Sequence, residues 1–302
     1  MLDKDHQFVR IGKLGNKTDI AIYHYTTGSG LRLNLIDPIM YPDRVKPLSK
    51  SIGMSDVILL IVNDLDRLTG ELMLVSVLAG KPLVVYSELF TKTDLKPYLG
   101  LAKGYEVFSD KIELFSHLEK YVPPKQTSLK IFVDQVLQVK SVGTVLLGSV
   151  KSGGVKVHDD VRLLPSDVLT NIRSIQVHDH DVKSAEQGSR VGLAVKARYD
   201  DVKDTTLVVP KEDQVNVVDH VKLLSNFTQF YNKRVEVGRT FMFGYDLTFV
   251  SGKVVSFEEV SNNPYTVEMT VRLEKPIYHP HKVLIFDPNT VPRVVGSATV
   301  ID

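Results

Sequence analysis

The pattern of apolar and polar positions changes near residue 125 and divides the chain into a part with helices and a part made of strands. Before Tyr121, strand-like runs alternate with amphipathic helical ones. DVILLIVND has the continuous apolar character of a buried parallel strand, a helical period follows from Leu68 to Leu78, and PLVVYS is a further strand. This alternation predicts an α/β domain in which helices cover a sheet.

Beyond the adjacent prolines Pro123 and Pro124, the pattern is that of strands. From Val133 to Val209, short runs of Val, Leu and Ile are separated by glycines, which is typical of a small closed β-barrel. From Arg234 onward, alternating runs and turn residues predict a second barrel. Because prolines stiffen a connection and cannot donate to a strand ladder, we expect a linker before the barrels. The predicted organisation is an α/β domain over residues 1–121, a linker over 122–128, a barrel over 129–210 and a second barrel over 215–302.

The composition is that of a globular protein, with 302 residues of which 43% are hydrophobic and 24% charged. The net charge of +1 means that any binding of nucleic acid must come from a local basic face. The absence of cysteine excludes disulfides, thiolate zinc sites and a cysteine nucleophile. Since no apolar run has the length of a signal peptide core or a bilayer span, we expect a cytoplasmic protein with no membrane partner.

The first predicted barrel contains, in order, the runs SVGTVLLGSVKSG, VRLLP and IRSIQVH and a Gly-x-x-Val-Gly-Leu-x-Val pattern. These runs resemble the second domain of translational GTPases of the elongation factor Tu class, most closely the selenocysteine-specific elongation factor and its archaeal relatives. The final run RVVGSATV resembles the close of their third domain. One departure is His158-Asp159, which stands where the family has a Gly-Asp turn. The resemblance implies a degenerate P-loop GTPase-like α/β domain, two small β-barrels like domains 2 and 3 of elongation factor Tu, and a function in translation.

The first GTPase motif that the resemblance implies is altered here. A phosphate-binding loop has the pattern GxxxxGK[ST] and opens a helix whose backbone amides face the phosphates. The nearest stretch, GKLGNKTD, contains Lys17 and Thr18, but Asn16 precedes the lysine and the loop is one residue short. The residues that follow alternate as a strand does, so we predict a β-hairpin from Thr18 to Leu35 that turns near residues 27–30.

The other two nucleotide motifs are altered as well. In the Asp-x-x-Gly motif the aspartate is Asp37, but the glycine is replaced by Met40 and the catalytic histidine that follows it by Tyr41. We expect Asp37 to cap a helix that begins near Pro42. The guanine-recognition motif Asn-Lys-x-Asp is replaced by SELF, which puts Phe90 in the place of its aspartate. We therefore expect no cofactor; the alternative is GTP or GDP with magnesium, bound through Lys17, Thr18 and Asp37.

In the family, the middle domain receives the aminoacylated acceptor end of tRNA at its junction with the GTPase domain, and it touches the small ribosomal subunit. By position, Arg173, Gln176 and His178 lie in the strand that matches this contact region, and Arg190 lies in the next. Arginine pairs with phosphate, and histidine stacks on an unpaired base. The resemblance implies that these four residues bind RNA; the alternative is that they are ordinary exposed residues of a stable barrel.

The run HDHD from His178 to Asp181 contains imidazole and carboxylate groups, which are zinc ligands. Successive side chains of a strand face opposite sides, and a polar turn beside the barrel accounts for the same residues. We therefore predict a turn here and no metal site.

Three functions are compatible with these observations. The preferred one is an elongation-factor-like protein that binds tRNA or the ribosome through the middle barrel without GTP hydrolysis. The second is a divergent GTPase that still binds nucleotide. The third is a scaffold that presents its surfaces to protein partners. DNA is not among the expected partners.

Overall fold

The computed structural model describes residues 9–13, 19–26, 32–102, 104–123, 126–260 and 265–301. In the first part of these residues, four helices accompany two small sheets. Its elements are β1 (Val9–Lys13), β2 (Ala21–Thr26), β3 (Arg32–Asp37), α1 (Val45–Met54), β4 (Ile58–Ile61), α2 (Arg67–Ala79), β5 (Leu83–Tyr86), α3 (Lys92–Leu99), β6 (Tyr105–Phe108) and α4 (Lys111–Glu119). Strands β1, β2 and β3 form an antiparallel meander, and β4, β5 and β6 form a parallel sheet in that order.

The parallel sheet and its helices follow the predicted alternation. Helix α2 is the predicted helical period, and β4 and β5 are the apolar runs on either side of it. Asp66 caps α2 by accepting a hydrogen bond from the Thr69 amide, and Gly80 ends it with a φ of 66°. Every residue of β5 is buried, as expected for the central strand of a covered parallel sheet. None of the helices in the described ranges is long and apolar enough to cross a bilayer.

The middle part of the chain forms the first closed barrel. Its elements are β7 (Lys130–Val139), β8 (Gly143–Ser152), β9 (Gly154–Lys156), β10 (Asp160–Leu164), β11 (Val168–Val177), β12 (His180–Val182), β13 (Ser184–Glu186), β14 (Arg190–Val195), α5 (Tyr199–Val202) and β15 (Leu207–Pro210). Six strands close in the order β10-β15-β7-β8-β14-β11, because β11 pairs back with β10. Buried and half-buried residues alternate along all of β8, so one face of the strand fills the barrel.

The last part of the chain forms the second closed barrel, in the order β16-β19-β18-β17-β20-β21. Its strands are β16 (Val217–Phe227), β17 (Thr240–Tyr245), β18 (Thr248–Glu259), β19 (Thr266–Tyr278), β20 (Lys282–Phe286) and β21 (Val294–Val300). Aromatic rings fill its centre, where Phe241 lies between Phe227, Tyr231 and Phe243 at centroid distances of 5.6 to 6.4 Å. The architecture is thus an α/β domain followed by two β-barrels, as the sequence predicts.

The three parts are packed against one another through apolar contacts. Helices α1 and α2 share a buried cluster with the second barrel, made of Val45, Leu48, Ile52, Val75, Leu284, Phe286 and Val294. Phe132, Leu164 and Leu207 of the first barrel belong to the apolar cluster of the second barrel. The two barrels and the α/β domain therefore bury apolar surface jointly, which favours one fixed arrangement.

The end of α1 contacts the turn between β17 and β18 at its backbone. A Cβ atom on Gly53 would lie 1.9 Å from the carbonyl oxygen of Asp246, so only glycine permits this approach. The ammonium group of Lys81 donates to the carbonyl oxygens of Ile52, Gly53 and Ser55 at 2.6, 3.0 and 2.6 Å. These bonds satisfy carbonyl groups that a helix end leaves without partners.

Candidate functional site

Strand β11 and the turn after it carry three of the four residues predicted to bind RNA. Arg173 and Gln176 lie in β11, whereas His178, predicted in the same strand, is the first residue of the turn that follows it. Arg173, Gln176 and His178 are exposed, whereas Ile172 and Ile175 are completely buried. The strand therefore directs one face into the barrel and leaves the predicted residues outside. At about 3.3 Å per residue, about 16 Å of chain separates Arg173 from His178.

Arg173 is the extra residue of a β-bulge. Ile172 pairs with Val195 and Ser174 with Ala194, so Arg173 has no residue opposite it on β14. Its Nη1 donates to the carbonyl oxygen of Val142 at 3.4 Å, in the turn between β7 and β8. Since bulges redirect side chains, this one explains how the guanidinium reaches across β14 to that turn.

His178 and Asp179 form the two-residue turn between β11 and β12. Both have positive φ, 51° and 63°, and Val177 pairs with His180 on the far side of the turn. This is the geometry of a type I′ hairpin, so the turn predicted for the start of the HDHD run is confirmed. Asp181 accepts a hydrogen bond from Gln176 Nε2 at 3.0 Å. Over the described ranges, no group of three or more His, Asp or Glu side chains is arranged to hold a metal ion.

Arg190, the fourth predicted contact, is bound to a buried carboxylate. Its Nη1 donates to Asp134 Oδ2, and its Nη2 donates to Oδ1 at 2.8 Å. The Asp134 side chain is only 3% exposed. Burial raises the pKa of Asp134, and the guanidinium of Arg190 opposes that rise. Arg190 thus connects β14 to β7, and its role in RNA binding stays a prediction.

A cleft of about 910 Å³ lies between the α/β domain and the first barrel. Its walls combine apolar side chains of the α/β domain, such as Leu33 and Phe115, with Ser149 and residues 187–189 of the barrel. Ser149 pairs with Arg190, and Gln176 pairs with Gly192 two residues further along β14. The Gln176 end of β11 is therefore the end nearer the cleft.

Lys151 connects the two walls of the cleft. Its ammonium group forms an ion pair with Asp56 and donates to the carbonyl oxygen of Met54 at 3.1 Å. This contact fixes β8 of the barrel to the end of α1.

A buried ion pair joins α2 to the second barrel. Glu71, with a side chain that is 5% exposed, accepts hydrogen bonds from the Arg293 amide at 2.7 Å and from Arg293 Nη2 at 2.6 Å. The Tyr41 hydroxyl donates to the same carboxylate at 3.0 Å, and Arg293 Nη1 donates to the Pro42 carbonyl oxygen at 2.6 Å. Burial, followed by the charge of Glu71, raises the pKa of Tyr41 above its ordinary value. The segment after β3 is therefore held against the second barrel.

The loop after β5 is held by its own side chains. Ser87 Oγ accepts hydrogen bonds from the amides of Leu89 and Phe90 at 3.3 and 3.0 Å. Phe90 packs on the apolar cluster beneath α3, which contains Leu95 and Leu99. The ring of Phe90 thus contributes to the core of the α/β domain.

Residues 143–208 match the family described as elongation factor Tu domain 2. The chain is 30% identical to the uncharacterized protein MJ0325 of Methanocaldococcus jannaschii, over 95% of this chain and 93% of that protein. It is 26% identical to the selenocysteine-specific elongation factor of the same organism, over 71% of this chain and 53% of that protein. The chain belongs to the translational GTPase superfamily. Its fold is similar to that of translation elongation factor SelB from Methanococcus maripaludis, crystallised with the GTP analogue GPPNHP. The TM-score is 0.75 and the sequence identity is 19%, over 95% of this chain and 74% of that one.

Where the translational GTPase superfamily has a helix after the phosphate loop, this chain has a strand. Ala21–Thr26 is β2, which pairs with β1 on one side and with β3 on the other. The predicted hairpin is confirmed for these strands. Lys17, Thr18 and the turn at residues 27–30 lie outside the described residues.

Asp37 and Tyr41, at the second GTPase motif, occupy different environments in the structure. Asp37 is the last residue of β3, and the prediction that it caps a helix near Pro42 is wrong. Helix α1 begins at Val45, and no side chain caps it. The physical reason is distance along the chain, because a capping side chain accepts from an amide two or three residues further on, whereas Asp37 lies eight residues before Val45. The nucleotide-binding role of Asp37 stays a prediction, whereas Tyr41, in place of the superfamily's catalytic histidine, binds Glu71.

The turn at His158-Asp159 shows how the barrel accommodates its departure from the superfamily pattern. His158 has a φ of 77°, in the left-handed region that favours glycine. The Asp159 carboxylate accepts a hydrogen bond from the Lys156 amide at 2.7 Å, which closes the turn. The hairpin therefore keeps a left-handed residue at this position without glycine.

Sequence reasoning missed three residues that hold the structure around the site: Asp134, Glu71 and Arg293. Asp134 interrupts the apolar run IFVDQVL, and Glu71 interrupts the apolar run of α2. An isolated acidic residue within a buried run indicates a charged partner, because carboxylates are seldom fully buried without one. That signal identifies the acids but does not identify the arginines that pair with them.

Proposed function

We propose that this translation-factor-like protein binds tRNA or the ribosome through its first barrel and does so without hydrolysing GTP. The observation that carries the proposal is a contrast between the two regions. The outer face of β11 presents Arg173 and Gln176 to solvent, and the turn after it presents His178. In the α/β domain, Tyr41 and Phe90 stand at positions that contact the nucleotide in the GTPase pattern. Here Tyr41 donates a hydrogen bond to Glu71, and Phe90 packs on an apolar cluster.

The chemistry of the β11 face suits RNA. A guanidinium pairs with phosphate, an amide hydrogen-bonds base edges or ribose, and an imidazole stacks on an unpaired base. These groups lie on a track that leads from Arg173 to the cleft between the barrel and the α/β domain. The cleft volume of about 910 Å³ is within the range of about 300 to 1,000 Å³ usual for ligand sites. Its mixed apolar and polar walls suit an unpaired end of RNA with an attached acyl group.

The fixed packing of the α/β domain supports independence from a nucleotide. A GTPase switch requires a segment that is ordered by the γ-phosphate and released on hydrolysis. Here the segment after β3 is bound to Glu71 and Arg293, and α1 and α2 share a core with the second barrel. A nucleotide would have to break these contacts to move the domains.

The double variant Arg173→Gln with His178→Ala is expected to bind tRNA more weakly by on the order of tenfold. It lacks one side chain that pairs with a phosphate and one that stacks on a base. The slope of log affinity against log salt is expected to fall by about 1. Retention of labelled tRNA on a filter at several salt concentrations measures both. The matched control is Arg272→Gln, an exposed arginine on the second barrel. Equal affinity and slope in wild type and double variant would refute this role of β11, and salt-insensitive partner binding would favour the scaffold function.

Titration with fluorescent GTP or GDP in the presence of magnesium is expected to show no saturable binding in the micromolar range. Small-angle scattering is expected to give the same profile with and without GTP, because the domains have no nucleotide-driven motion. An intact elongation factor Tu serves as the positive control for both measurements. Magnesium-dependent micromolar affinity would instead favour the divergent GTP-binding function, for which Lys17, Thr18 and Asp37 are the predicted contacts.

A further inference from the structure

Three cationic side chains lie at the end of the first barrel that is away from the cleft. They are Lys140, Arg173 and Lys196, which together are named the basic rim. All three are exposed. The sequence pattern identifies only Arg173 as a contact, because Lys140 and Lys196 lie in different segments and are brought together by strand pairing.

The strand registers place the basic rim on one continuous surface. Lys140 follows β7, at the turn where Val139 pairs with Gly143. Lys196 follows Val195, which pairs with Thr144 on one side and with Ile172 on the other. Since neighbouring strands lie about 4.8 Å apart, these positions span only three or four strands of the barrel wall.

The side chain of Arg173 provides a direct contact across this surface. Its Nη1 lies 3.4 Å from the carbonyl oxygen of Val142 and 3.9 Å from the position that a Cβ atom would take on Gly143. The guanidinium therefore lies over the turn that begins with Lys140. The bulge carries Arg173, the turn carries Lys140, and the residue after β14 is Lys196, so each of the three segments contributes one positive charge.

The charges of the basic rim are not neutralised by acidic side chains. Within the described residues, no carboxylate lies within ion-pair distance of any of the three, whereas the nearby acids Asp200 and Asp201 pair with Lys203 and Arg198. No side-chain hydrogen bond of Lys140 or Lys196 contributes to the barrel in this part of the chain. Like charges on one surface repel one another, and a bound anion relieves that repulsion.

We propose that the basic rim binds the phosphodiester backbone of RNA, so that a strand bound along β11 continues from the rim towards the cleft. The proposal rests on the proposed RNA-binding function and adds Lys140 and Lys196 to it. The net charge of +1 makes such a local cluster necessary, because the chain as a whole does not attract phosphate. The turn and the strand end supply flexible ammonium groups, which bind phosphate as point charges without base specificity.

The test is the double variant Lys140→Gln with Lys196→Gln, measured beside the control Lys253→Gln with Lys275→Gln. The control removes the same charge from exposed lysines of the second barrel. One arm measures retention of tRNA on filters, and a second arm measures co-sedimentation with small ribosomal subunits, each over a series of salt concentrations. Circular dichroism melting verifies that all variants are folded.

The rim variant is expected to lose affinity by on the order of tenfold, with a salt slope lower by about 0.7 to 0.9 for each phosphate that it no longer neutralises. The control is expected to match wild type. A decrease confined to one arm identifies tRNA or ribosomal RNA as the source of the phosphates, and a decrease in both shows general backbone binding. If wild type binds RNA and the rim variant keeps its affinity and slope, the basic rim proposal fails while the proposed function stands. If wild type binds neither RNA, both fail.

Discussion

Replacing Arg293 with Ala is expected to lower the free energy of unfolding by about 3 to 5 kcal/mol, because it leaves the carboxylate of Glu71 buried without its charged partner. Glu71 accepts hydrogen bonds from the amide, Nε and Nη2 of Arg293. The guanidinium also lies over the ring of Tyr41 at 5.2 Å and donates to the Pro42 carbonyl oxygen. Urea unfolding at neutral pH, followed by circular dichroism, measures the change in stability.

Two control variants separate the buried charge from a general weakening of packing. Replacing both partners, Glu71→Gln with Arg293→Met, is expected to cost less than Arg293→Ala alone, because no uncompensated charge is left behind. Arg198→Ala breaks an exposed ion pair with Asp201, in which the arginine side chain is 86% exposed, and is expected to cost at most about 1 kcal/mol. A destabilisation by Arg293→Ala as small as that by Arg198→Ala would show that the Glu71 contact is not a structural anchor.

The Glu71 contact connects stability to the proposed function. In the GTPase pattern, the residue at the position of Tyr41 is the catalytic histidine. Here the Tyr41 hydroxyl is bound to a carboxylate that also binds the second barrel. A residue that holds two domains together has no freedom to reorganise around a phosphate. The same geometry therefore stabilises the assembly and supports the proposed independence from GTP.

The sequence predicts the elements of this protein well where local pattern determines them. The continuous apolar character of β4 and β5 and the helical period of α2 are local properties, so both the elements and their βαβ order follow from them. The alternation in β8 likewise distinguishes its inner from its outer face. Arg173 and Gln176 are three positions apart in β11, so they share the outer face only because of the bulge at Arg173, which the pattern does not predict. The turn at His178-Asp179 follows from polar residues that tolerate positive φ.

Contacts between residues that are far apart in the chain are poorly predicted from the sequence. Arg190 has the residue type of a phosphate contact, but strand pairing places it beside Asp134, 56 positions away. Glu71 and Arg293 are 222 positions apart. The basic rim has the same origin, since Lys140 and Lys196 become neighbours only when β8 and β14 pair. The local pattern indicates whether a residue of a regular strand faces the core or the solvent. Whether its charge forms an ion pair depends on residues that strand pairing and domain packing place beside it.

The joint packing of the domains also predicts that Gly53→Ala is strongly destabilising, by at least about 3 kcal/mol. A methyl group at this position would lie 1.9 Å from the Asp246 carbonyl oxygen and 2.6 Å from its Cα atom, so two backbones must move apart. Asp246 is in a tight turn with a φ of 43° and its side chain accepts a hydrogen bond from the Tyr278 hydroxyl at 3.1 Å, so that turn has little freedom to yield.

Gly70→Ala is the matched control, since Gly70 is an exposed residue inside α2 and an added Cβ there meets nothing within 4 Å. It is expected to raise stability by up to about 1 kcal/mol, because alanine favours a helix over glycine. Denaturant unfolding of the two variants is therefore expected to give changes of opposite sign. In Gly53→Ala, displacement of α1 is also expected to separate one cooperative transition into two, as the α/β domain moves away from the barrels. A single transition with wild-type stability would show that α1 contacts the β17–β18 turn less closely. The fixed domain arrangement on which the proposed nucleotide independence is based would then lose its support.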